Sequence, residues 1–372
     1  MSMTRLILGG ILAIPCLLVT VCVAPLLAIL AIPPLLVLLL RKAPSGLSAK
    51  NPPDHVIITG GSSGIGLCLA KECIQRGVPH VTILARNPNR LESAKQELEQ
   101  EAQLQPLLDD DAAVTQIQTI SVSVSDLKGL QQVAASLAIN PSKTRVALFH
   151  CAGMAHTTEF NKISEETCLE LVQTNQLGSM FVVKAFLPYL EKGVICLTSS
   201  VAAQAGVYGY SAYTPTKAAI VGFANVLSHE LLTTKPNLHI QVAFPADTDT
   251  PQYEAERKMM PEITKALNET VGLAKPQDTA KAMANAAFQP HPKFGVYFNL
   301  DGWALTNLTV GFGPVSNMSD ALAQISLLNL FRWIVLFVQN DFWRIIRSFD
   351  NKNEEGGEQQ VTKEKTKHTK GD

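Results

Sequence analysis

The sequence lacks an excess of charge of either sign. Its 372 residues contain 31 lysines and arginines and 32 aspartates and glutamates, which gives a formal net charge of -1. Proteins that bind nucleic acids derive much of their affinity from basic surfaces that neutralise phosphates. The charge balance provides no such surface, and we therefore expect no nucleic-acid partner.

Paired cysteines are also lacking. The chain has seven cysteines, an odd number, at scattered positions and without a Cys-x-x-Cys pair. Disulfide frameworks and zinc sites require cysteines in pairs with regular spacing. We therefore predict that the protein has no metal site, that most of its cysteines are small core residues, and that its main domain lies in a reducing compartment.

Charge is absent altogether between Leu6 and Leu40. This stretch is longer than the roughly 20 apolar residues that cross a bilayer, and it is also too long for a cleavable signal peptide. We predict a membrane anchor at residues 1–42, and its four prolines leave one kinked span and a two-span hairpin both open. Because Arg41, Lys42 and Lys50 follow, the positive-inside rule places the next domain on the cytosolic side.

Beyond a linker rich in proline, serine, glycine and lysine at residues 43–53, short β-rich runs alternate with amphipathic stretches. The predicted helices are Ile65–Gly77 and Pro88–Gln103, and Pro106–Ala113 is predicted to be a loop insertion. The predicted strands are His55–Thr59, His80–Ala85, one within Val114–Val124, Arg145–Phe149, Val194–Ser199 and His239–Phe244. This order predicts an α/β fold for residues 54–302, a Rossmann-type doubly wound parallel sheet with helices on both faces.

The C-terminal part of the chain changes character again. Residues 303–349 form an apolar extension, in which Ala321–Gln339 is strongly apolar except for Arg332 near its middle. A charge at that position is costly in a membrane-spanning helix. The sequence therefore favours a helix that lies on the membrane, or a lid over the substrate entrance, over a second span. Residues 350–372 are polar and are predicted to be a disordered tail.

A glycine-rich loop connects the first predicted strand to the first predicted helix, and it reads Thr-Gly-Gly-Ser-Ser-Gly-Ile-Gly from Thr59 to Gly66. Gly60 permits the tight turn, Gly64 lets the backbone approach a pyrophosphate, and Gly66 allows close packing of helix on strand. The phosphates would lie at the helix N-terminus. The residues predicted to bind the cofactor here are Gly60, Ser62, Ser63, Gly64, Ile65 and Gly66.

The end of the second predicted strand indicates which nicotinamide cofactor binds. NAD-binding proteins usually have an acidic residue there, which binds the ribose 2′-hydroxyl. This chain instead has Arg86 after the strand and Arg90 one helical turn further on, and a guanidinium group fits a 2′-phosphate. Ser62 offers a hydroxyl to the same group. NADPH is therefore the predicted cofactor; in the alternative interpretation the two arginines are ordinary surface charges.

Tyr213 and Lys217 lie four residues apart in a segment predicted to open a helix, and they therefore share a face. A nearby ammonium group lowers the pKa of a tyrosine, which makes the phenol a usable proton donor or acceptor. Ser200 lies at the end of a predicted strand, 13 residues before Tyr213, and its hydroxyl can hold a substrate carbonyl oxygen. Spacing alone leaves the adjacent Ser199 open as the alternative.

The order and spacing of these motifs resemble those of the short-chain dehydrogenase/reductase family. The resemblance is carried by the glycine loop, Cys151–Gly153, Asn175, Gly178, Ser200, Tyr213 and Lys217. It implies a catalytic tetrad of Asn175, Ser200, Tyr213 and Lys217, in which Lys217 also binds the nicotinamide ribose and Asn175 supports a water relay. It further implies cofactor binding by Ala152, Gly153, Tyr213, Lys217, Pro245, Thr248 and Thr250.

Four strings, Thr59–Gly66, Cys151–Ala155, Ala205–Tyr213 and Pro245–Pro251, resemble the reductases of long-chain ketosphingoid bases within that family, and so does the C-terminal run from Gly313 to Arg332. This resemblance implies a ketosphingoid substrate, contact with membrane lipid, and a place in the endoplasmic reticulum membrane with the catalytic domain facing the cytosol. It leaves a homo-oligomer open. The alternatives are another membrane-anchored NADPH-dependent ketone reductase, acting on very-long-chain 3-ketoacyl groups or steroids, and a non-catalytic NADPH-binding membrane scaffold.

Three positions depart from the family pattern. Ser123 stands where the family has an aspartate that contacts adenine, His150 where an asparagine precedes Cys151, and Gln252 where a glycine follows Pro251. The first departure removes the carboxylate from the adenine contact. We expect His150 to be a core residue whose hydrogen bonds are satisfied. None of the three falls on the implied tetrad.

Overall fold

The computed structural model of the chain describes residues 52–104, 115–270 and 272–298, together with residues 340–341, 343–345 and 348–349. The predicted anchor at residues 1–42, the predicted loop insertion and the polar tail lie outside the described residues, as do nearly all of the linker and most of the apolar extension. In the ranges that the structure describes, no helix is both long enough and apolar enough to cross a membrane.

A parallel sheet forms the centre of the fold. In the described part of the chain it has seven strands in the order β3-β2-β1-β4-β5-β6-β7, and every neighbouring pair is parallel. The strands are β1 His55–Thr59, β2 His80–Ala85, β3 Gln116–Ser121, β4 Val146–His150, β5 Lys192–Thr198, β6 Asn237–Ala243 and β7 Gly295–Val296. This arrangement confirms the predicted Rossmann-type sheet.

The helices connect the strands across both faces of the sheet. They are α1 Gly64–Gln75, α2 Pro88–Leu104, α3 Leu127–Ser136, α4 Glu165–Leu171, α5 Gly178–Phe186, α6 Tyr213–Thr234, α7 Pro251–Met259, α8 Glu262–Glu269 and α9 Pro276–Ala287. Short 3₁₀ turns occur at Phe160–Lys162, Leu187–Tyr189 and Val201–Ala203, and a π-helical turn at Val172–Leu177 joins α4 to α5.

Two buried apolar clusters lie on the opposite faces of the sheet. Successive residues of a strand point to opposite faces, and in β1 Ile57 belongs to one cluster while Ile58 belongs to the other. The first cluster joins the sheet to α3, α5 and α6, and includes Val182. The second joins it to α1, α2 and α9, and includes Leu69 and Met283. The strand cores are therefore apolar on both sides, as a covered parallel sheet requires.

Element boundaries differ from the prediction by one or two residues. Strand β4 lies one residue later than predicted, and β6 begins two residues earlier and ends one residue earlier. The first helix ends at Gln75 rather than Gly77, because Gly77 adopts a left-handed backbone conformation with φ of 72°. Strand β5 begins at Lys192, two residues before the predicted start, since Gly193 pairs with Val146 in the sheet despite its low strand propensity. Strands β1 and β2 match the prediction at both ends.

The strand order places a crevice between β1 and β4. The chain moves outward from β1 to β3 on one side of the sheet and from β4 to β7 on the other. In open α/β sheets, ligands bind outside the carboxyl ends of the strands at such a reversal point. The loops after β1 and β4 are therefore where the site is expected to lie.

Candidate active site

The glycine loop follows β1 and leads into α1, with a geometry suited to phosphate binding. Gly60 has φ of 70°, and an added Cβ there would come within 2.8 Å of the Ala152 backbone nitrogen. A Cβ at Gly66 would overlap the Gly60 carbonyl oxygen. The Ser63 side chain does not cap α1, so the backbone N–H groups of the first turn remain available to an anion. Ser62, Ser63, Gly64 and Ile65 are half-buried in this loop.

His150 ties the glycine loop to the end of β4. Its Nδ1 lies 2.8 Å from the Thr59 hydroxyl oxygen, which also accepts a hydrogen bond from the Ala152 N–H at 3.3 Å. Burial, and secondly the charge of Lys217, lower the pKa of His150 to about 3, so the imidazole is neutral at pH 7. Its Nε2 has no hydrogen-bond partner among the described residues. Only one of its two ring nitrogens therefore meets the expectation of a satisfied core residue.

An open cavity of about 480 Å³ lies beyond the ends of β2 and β3. Its lining residues include Arg86, Ser123 and Asp126. Arg86 is exposed, and in the described ranges no carboxylate forms an ion pair with Arg86 or with Arg90. The Asp126 side chain caps α3, because its Oδ1 accepts a hydrogen bond from the Gly129 N–H at 3.0 Å. Arg86 thus faces this cavity, whereas Arg90 lies outside its lining.

Asn175 holds three segments together from the π-helical turn. Its Oδ1 accepts from the Met154 N–H at 2.9 Å, and its Nδ2 donates to the Met154 carbonyl at 2.9 Å and to the Thr216 hydroxyl at 3.0 Å. The side chain is fully buried. Such π-helical turns are rare and occur frequently at functional sites. Here the turn, which leads into α5, places Asn175 where it binds both the loop after β4 and the first turn of α6.

The two adjacent serines after β5 have different surroundings. Ser199 is buried, and its hydroxyl donates to the Lys217 carbonyl at 2.8 Å. The Ser200 hydroxyl accepts from the Ala202 N–H at 3.1 Å, and it forms a hydrogen bond with Tyr213 that lowers the pKa of the phenol. This geometry favours Ser200 over Ser199 as the residue that meets a substrate.

Lys217 lies one turn along α6 from Tyr213. Its Nζ is 5.8 Å from the centroid of the Tyr213 ring and donates to the Thr198 carbonyl at 3.0 Å. Burial lowers the pKa of Lys217 to about 8, although the neighbouring Cys151 thiol opposes this. Because this ammonium group is buried, its charge is little screened by solvent.

The pKa of Tyr213 moves in the direction opposite to the one expected from the sequence. The expectation of a net decrease is wrong: burial raises the pKa above its ordinary value, and the charge of Glu256 raises it further. The hydrogen bond with Ser200 only partly opposes this. Desolvation disfavours the charged phenolate, so Tyr213 holds its proton at pH 7.

Gly153 keeps these groups close to one another. A Cβ added at this position would lie 3.2 Å from the Asn175 Oδ1 and 3.2 Å from the Lys217 Nζ. The structure therefore brings Asn175, Lys217 and the loop after β4 together, with Ser200 and Tyr213 joined to each other beside them.

The loop after β6 returns to the glycine loop. The Pro245 carbonyl accepts from the Val201 N–H at 3.1 Å, and the buried Thr248 donates its hydroxyl to the Ala246 carbonyl at 2.8 Å. Thr250 caps α7 by accepting from the Tyr253 N–H at 3.2 Å. Its Cγ2 would lie 3.1 Å from a Cβ at Gly64. Thr250 is thus adjacent to the glycine loop, whereas the Thr248 hydroxyl is used within its own loop.

Two residues of α7 that the sequence interpretation did not assign to the site also lie at it. With its amide suitably oriented, Gln252 donates to the Gly153 carbonyl at 3.2 Å and accepts from the Ala155 N–H at 3.2 Å. Glu256 is buried four residues further along the same helix. Their spacing on one helix face was the available signal, but the sequence does not show which face of α7 is covered.

These features together define a nucleotide-dependent α/β oxidoreductase. The sheet has its reversal point at a glycine loop, and a tyrosine, a lysine, a serine and an asparagine meet at the same edge. The sequence profile of the short chain dehydrogenases matches residues 54–261. The chain belongs to the short-chain dehydrogenase family.

Curated relatives are similar over most of their length. A 3-dehydrosphinganine reductase of Danio rerio is 36% identical over 299 residues, covering 79% of this chain and 85% of the relative. A 3-ketodihydrosphingosine reductase of Bos taurus is 35% identical, covering 80% and 86%. A 3-dehydrosphinganine reductase of Arabidopsis thaliana is 31% identical, covering 84% and 90%.

Solved structures of lower identity share the fold. An actinorhodin polyketide ketoreductase with NADPH matches with a TM-score of 0.56 at 21% identity, covering 67% of this chain and 97% of that one. A short-chain type dehydrogenase/reductase from Mycobacterium ulcerans matches with a TM-score of 0.54 at 22% identity, covering 63% and 82%.

Proposed function

We propose that this protein reduces 3-ketodihydrosphingosine to dihydrosphingosine with NADPH. The observation that carries the proposal is its similarity, across about four-fifths of the chain, to reductases named for this substrate in animals and plants. The site supports the reaction type, because a neutral tyrosine and a buried ammonium group lie beside a serine at the ligand-binding edge of the sheet.

The residues present fit a nicotinamide dinucleotide. The uncapped first turn of α1 would hold the pyrophosphate, Arg86 the 2′-phosphate at the open cavity, and Lys217 the ribose nearest the nicotinamide. Any side chain at Gly60 would fill the space beside Ala152 at the crevice. NADPH, when bound, supplies the hydride that adds to the ketone carbon.

The proton for the reaction comes from the tetrad. Ser200 orients the ketone oxygen by a hydrogen bond, and Tyr213 transfers its hydroxyl proton to that oxygen as negative charge develops on it. The C=O double bond becomes a C–O single bond, and the new O–H bond replaces the O–H bond of Tyr213. Lys217, held by the Thr198 carbonyl, stabilises the resulting phenolate with its nearby charge, and Asn175 fixes the loop after β4 to the first turn of α6.

Arg86→Ala is expected to raise the KM for NADPH about 10- to 100-fold, the range that a hydrogen bond between charged groups supports. The KM for NADH should change little, because NADH lacks the 2′-phosphate. Arg90→Ala is the matched comparison, and we expect a smaller effect since Arg90 lies outside the cavity lining. Steady-state kinetics with both cofactors measure this. Equal effects on NADPH and NADH would contradict the role of Arg86.

We further propose that the protein works at the cytosolic face of the endoplasmic reticulum membrane. The uncharged stretch between Leu6 and Leu40 supports an anchor at residues 1–42, and the basic residues after it support the orientation. A substrate with a long acyl chain partitions into the same bilayer. Release of the full chain from microsomes by alkaline washing would contradict the anchor.

The assay that tests the function follows NADPH oxidation by membranes that contain the full chain. With 3-ketodihydrosphingosine, we expect NADPH-dependent formation of dihydrosphingosine and much slower turnover with NADH. Very-long-chain 3-ketoacyl-CoA and steroid ketones serve as comparison substrates. Faster turnover of either would favour the alternative reductases, and no turnover of any ketone would favour a non-catalytic NADPH-binding scaffold.

A further inference from the structure

Helix α7 carries a carboxylate to which the tetrad chemistry gives no role. Glu256 is only 6% exposed, and its Oε1 has no hydrogen-bond partner among the described residues. A buried polar atom without a partner costs free energy, and few such atoms occur in folded proteins. The Tyr210 hydroxyl forms a hydrogen bond with this carboxyl group, so Oε1 is the atom that calls for a further partner.

Glu256 faces the active site. Gln252 and Glu256 are four residues apart and share one face of α7. The Gln252 amide contacts the backbone of Gly153 and Ala155. One turn further on, Glu256 lies beside the hydroxyl groups of Thr157 and Tyr210.

Tyr210 connects Glu256 to the reacting end of the site. The Tyr210 ring centroid is 5.5 Å from that of Tyr213. The segment around Tyr210 is held against the loop after β4, because the Gly209 carbonyl accepts from the Thr158 N–H at 3.0 Å. Glu256 therefore lies between this loop and the residues that precede α6, next to the catalytic tyrosine.

A second carboxylate adds to the negative charge at this place. Asp247, in the loop after β6, is half-buried, and its charge raises the pKa of Glu256 and of Tyr213. In the ranges that the structure describes, no lysine or arginine forms an ion pair with Asp247 or Glu256. Asp247 and Glu256 are thus two acidic groups near Tyr213 without a cationic partner among the described residues.

We propose that Glu256, with Asp247 behind it, binds the ammonium group that neighbours the ketone of the substrate. The inference rests on the proposed function, since a ketosphingoid base carries an amino group on the carbon next to the ketone carbon. With the ketone oxygen at Ser200 and Tyr213, the nitrogen of that amino group is two bonds from the reacting carbon, on the part of the substrate nearest to Tyr213 and its neighbours Tyr210 and Glu256. Selection of amino ketones over neutral ketones follows.

The test uses two ketones of equal chain length, 3-ketodihydrosphingosine and the same compound without its amino group. We expect the full-length protein in detergent to show a kcat/KM about 10- to 100-fold higher for the amino ketone, the range of a hydrogen bond between charged groups. Glu256→Gln should reduce this ratio about tenfold or more. Because Glu256 also affects the pKa of Tyr213, the ratio is the readout: a change at Tyr213 affects both ketones alike.

Glu254→Gln is the matched control, because it removes one negative charge from an exposed position of the same helix. It should leave the ratio unchanged. If Glu256→Gln reduces turnover of both ketones equally, the inference is overturned while the proposed function stands. Loss of NADPH binding would indicate that the Glu256→Gln variant does not fold. In that case the comparison of the two ketones on the unmodified protein is the test, and equal kcat/KM values for them overturn the inference. Failure of the unmodified protein to reduce 3-ketodihydrosphingosine would instead overturn the proposed function itself, and this inference with it.

Discussion

Tyr213→Phe is expected to lower kcat for ketone reduction by about 10²- to 10⁴-fold, the contribution typical of a general acid. The substitution removes only the hydroxyl that donates the proton and that forms the hydrogen bond with Ser200. The burial that raises the pKa of Tyr213 keeps it protonated at neutral pH, so the proton is in place before the ketone binds. The ring and its contact with Tyr210 remain, and NADPH binding should therefore persist.

Single-turnover kinetics with saturating NADPH measure this loss, and NADPH fluorescence measures cofactor binding in the same preparation. Tyr189→Phe is the matched control, since Tyr189 packs against the apolar cluster shared by α5 and α6. Its hydroxyl lies outside the tetrad, and we expect little change in kcat. Full turnover by Tyr213→Phe would remove Tyr213 from the mechanism and would favour a different proton donor.

Local sequence signals account for the parts of the fold and site that depend on local geometry. The exact ends of β1 and β2 follow from β-rich runs bounded by turn residues, and the left-handed Gly60 follows from the tight turn between strand and helix. The shared face of Tyr213 and Lys217 follows from helical spacing alone. Each of these features is decided within a few residues of chain.

The remaining features depend on contacts between distant segments. Ser199 and Ser200 have the same local context, but the Ser199 hydroxyl donates to the Lys217 carbonyl, whereas the Ser200 hydroxyl forms a hydrogen bond with Tyr213. The direction of the Tyr213 pKa depends on desolvation by the surrounding fold and on Glu256, 43 residues away along the chain. Nothing in the local pattern of α7 distinguishes the buried Glu256 from the exposed Glu254.

Glu256→Gln is expected to stabilise the protein at alkaline pH, because burial raises the pKa of Glu256 from 4.5 to about 7. Because the folded-state pKa of Glu256 is raised, its carboxyl group does not lower the free energy of unfolding at pH values below 4.5, the unfolded-state pKa. The wild-type protein loses stability relative to the glutamine variant as the pH rises from about 4.5 to about 7, and the difference changes little above pH 7. At 1.4 kcal/mol for each pKa unit, the difference in the free energy of unfolding approaches about 3 kcal/mol at pH 8 and falls to about 1 kcal/mol at pH 5.5.

The groups that face Glu256 leave this sign unchanged. A hydrogen bond from Tyr210 lowers the pKa of Glu256, but burial raises it more, and the charge of Asp247 raises it further. Urea unfolding of both proteins at pH 5.5, 7 and 8 measures the difference, and exposed Glu254→Gln should show no comparable trend with pH. A wild-type protein as stable as the variant at pH 8 would mean that Glu256 already has a cationic partner within the chain. A wild-type protein that is less stable at pH 8, and that gains more stability from dihydrosphingosine than the glutamine variant does, would support Glu256 as the ligand of the ammonium group.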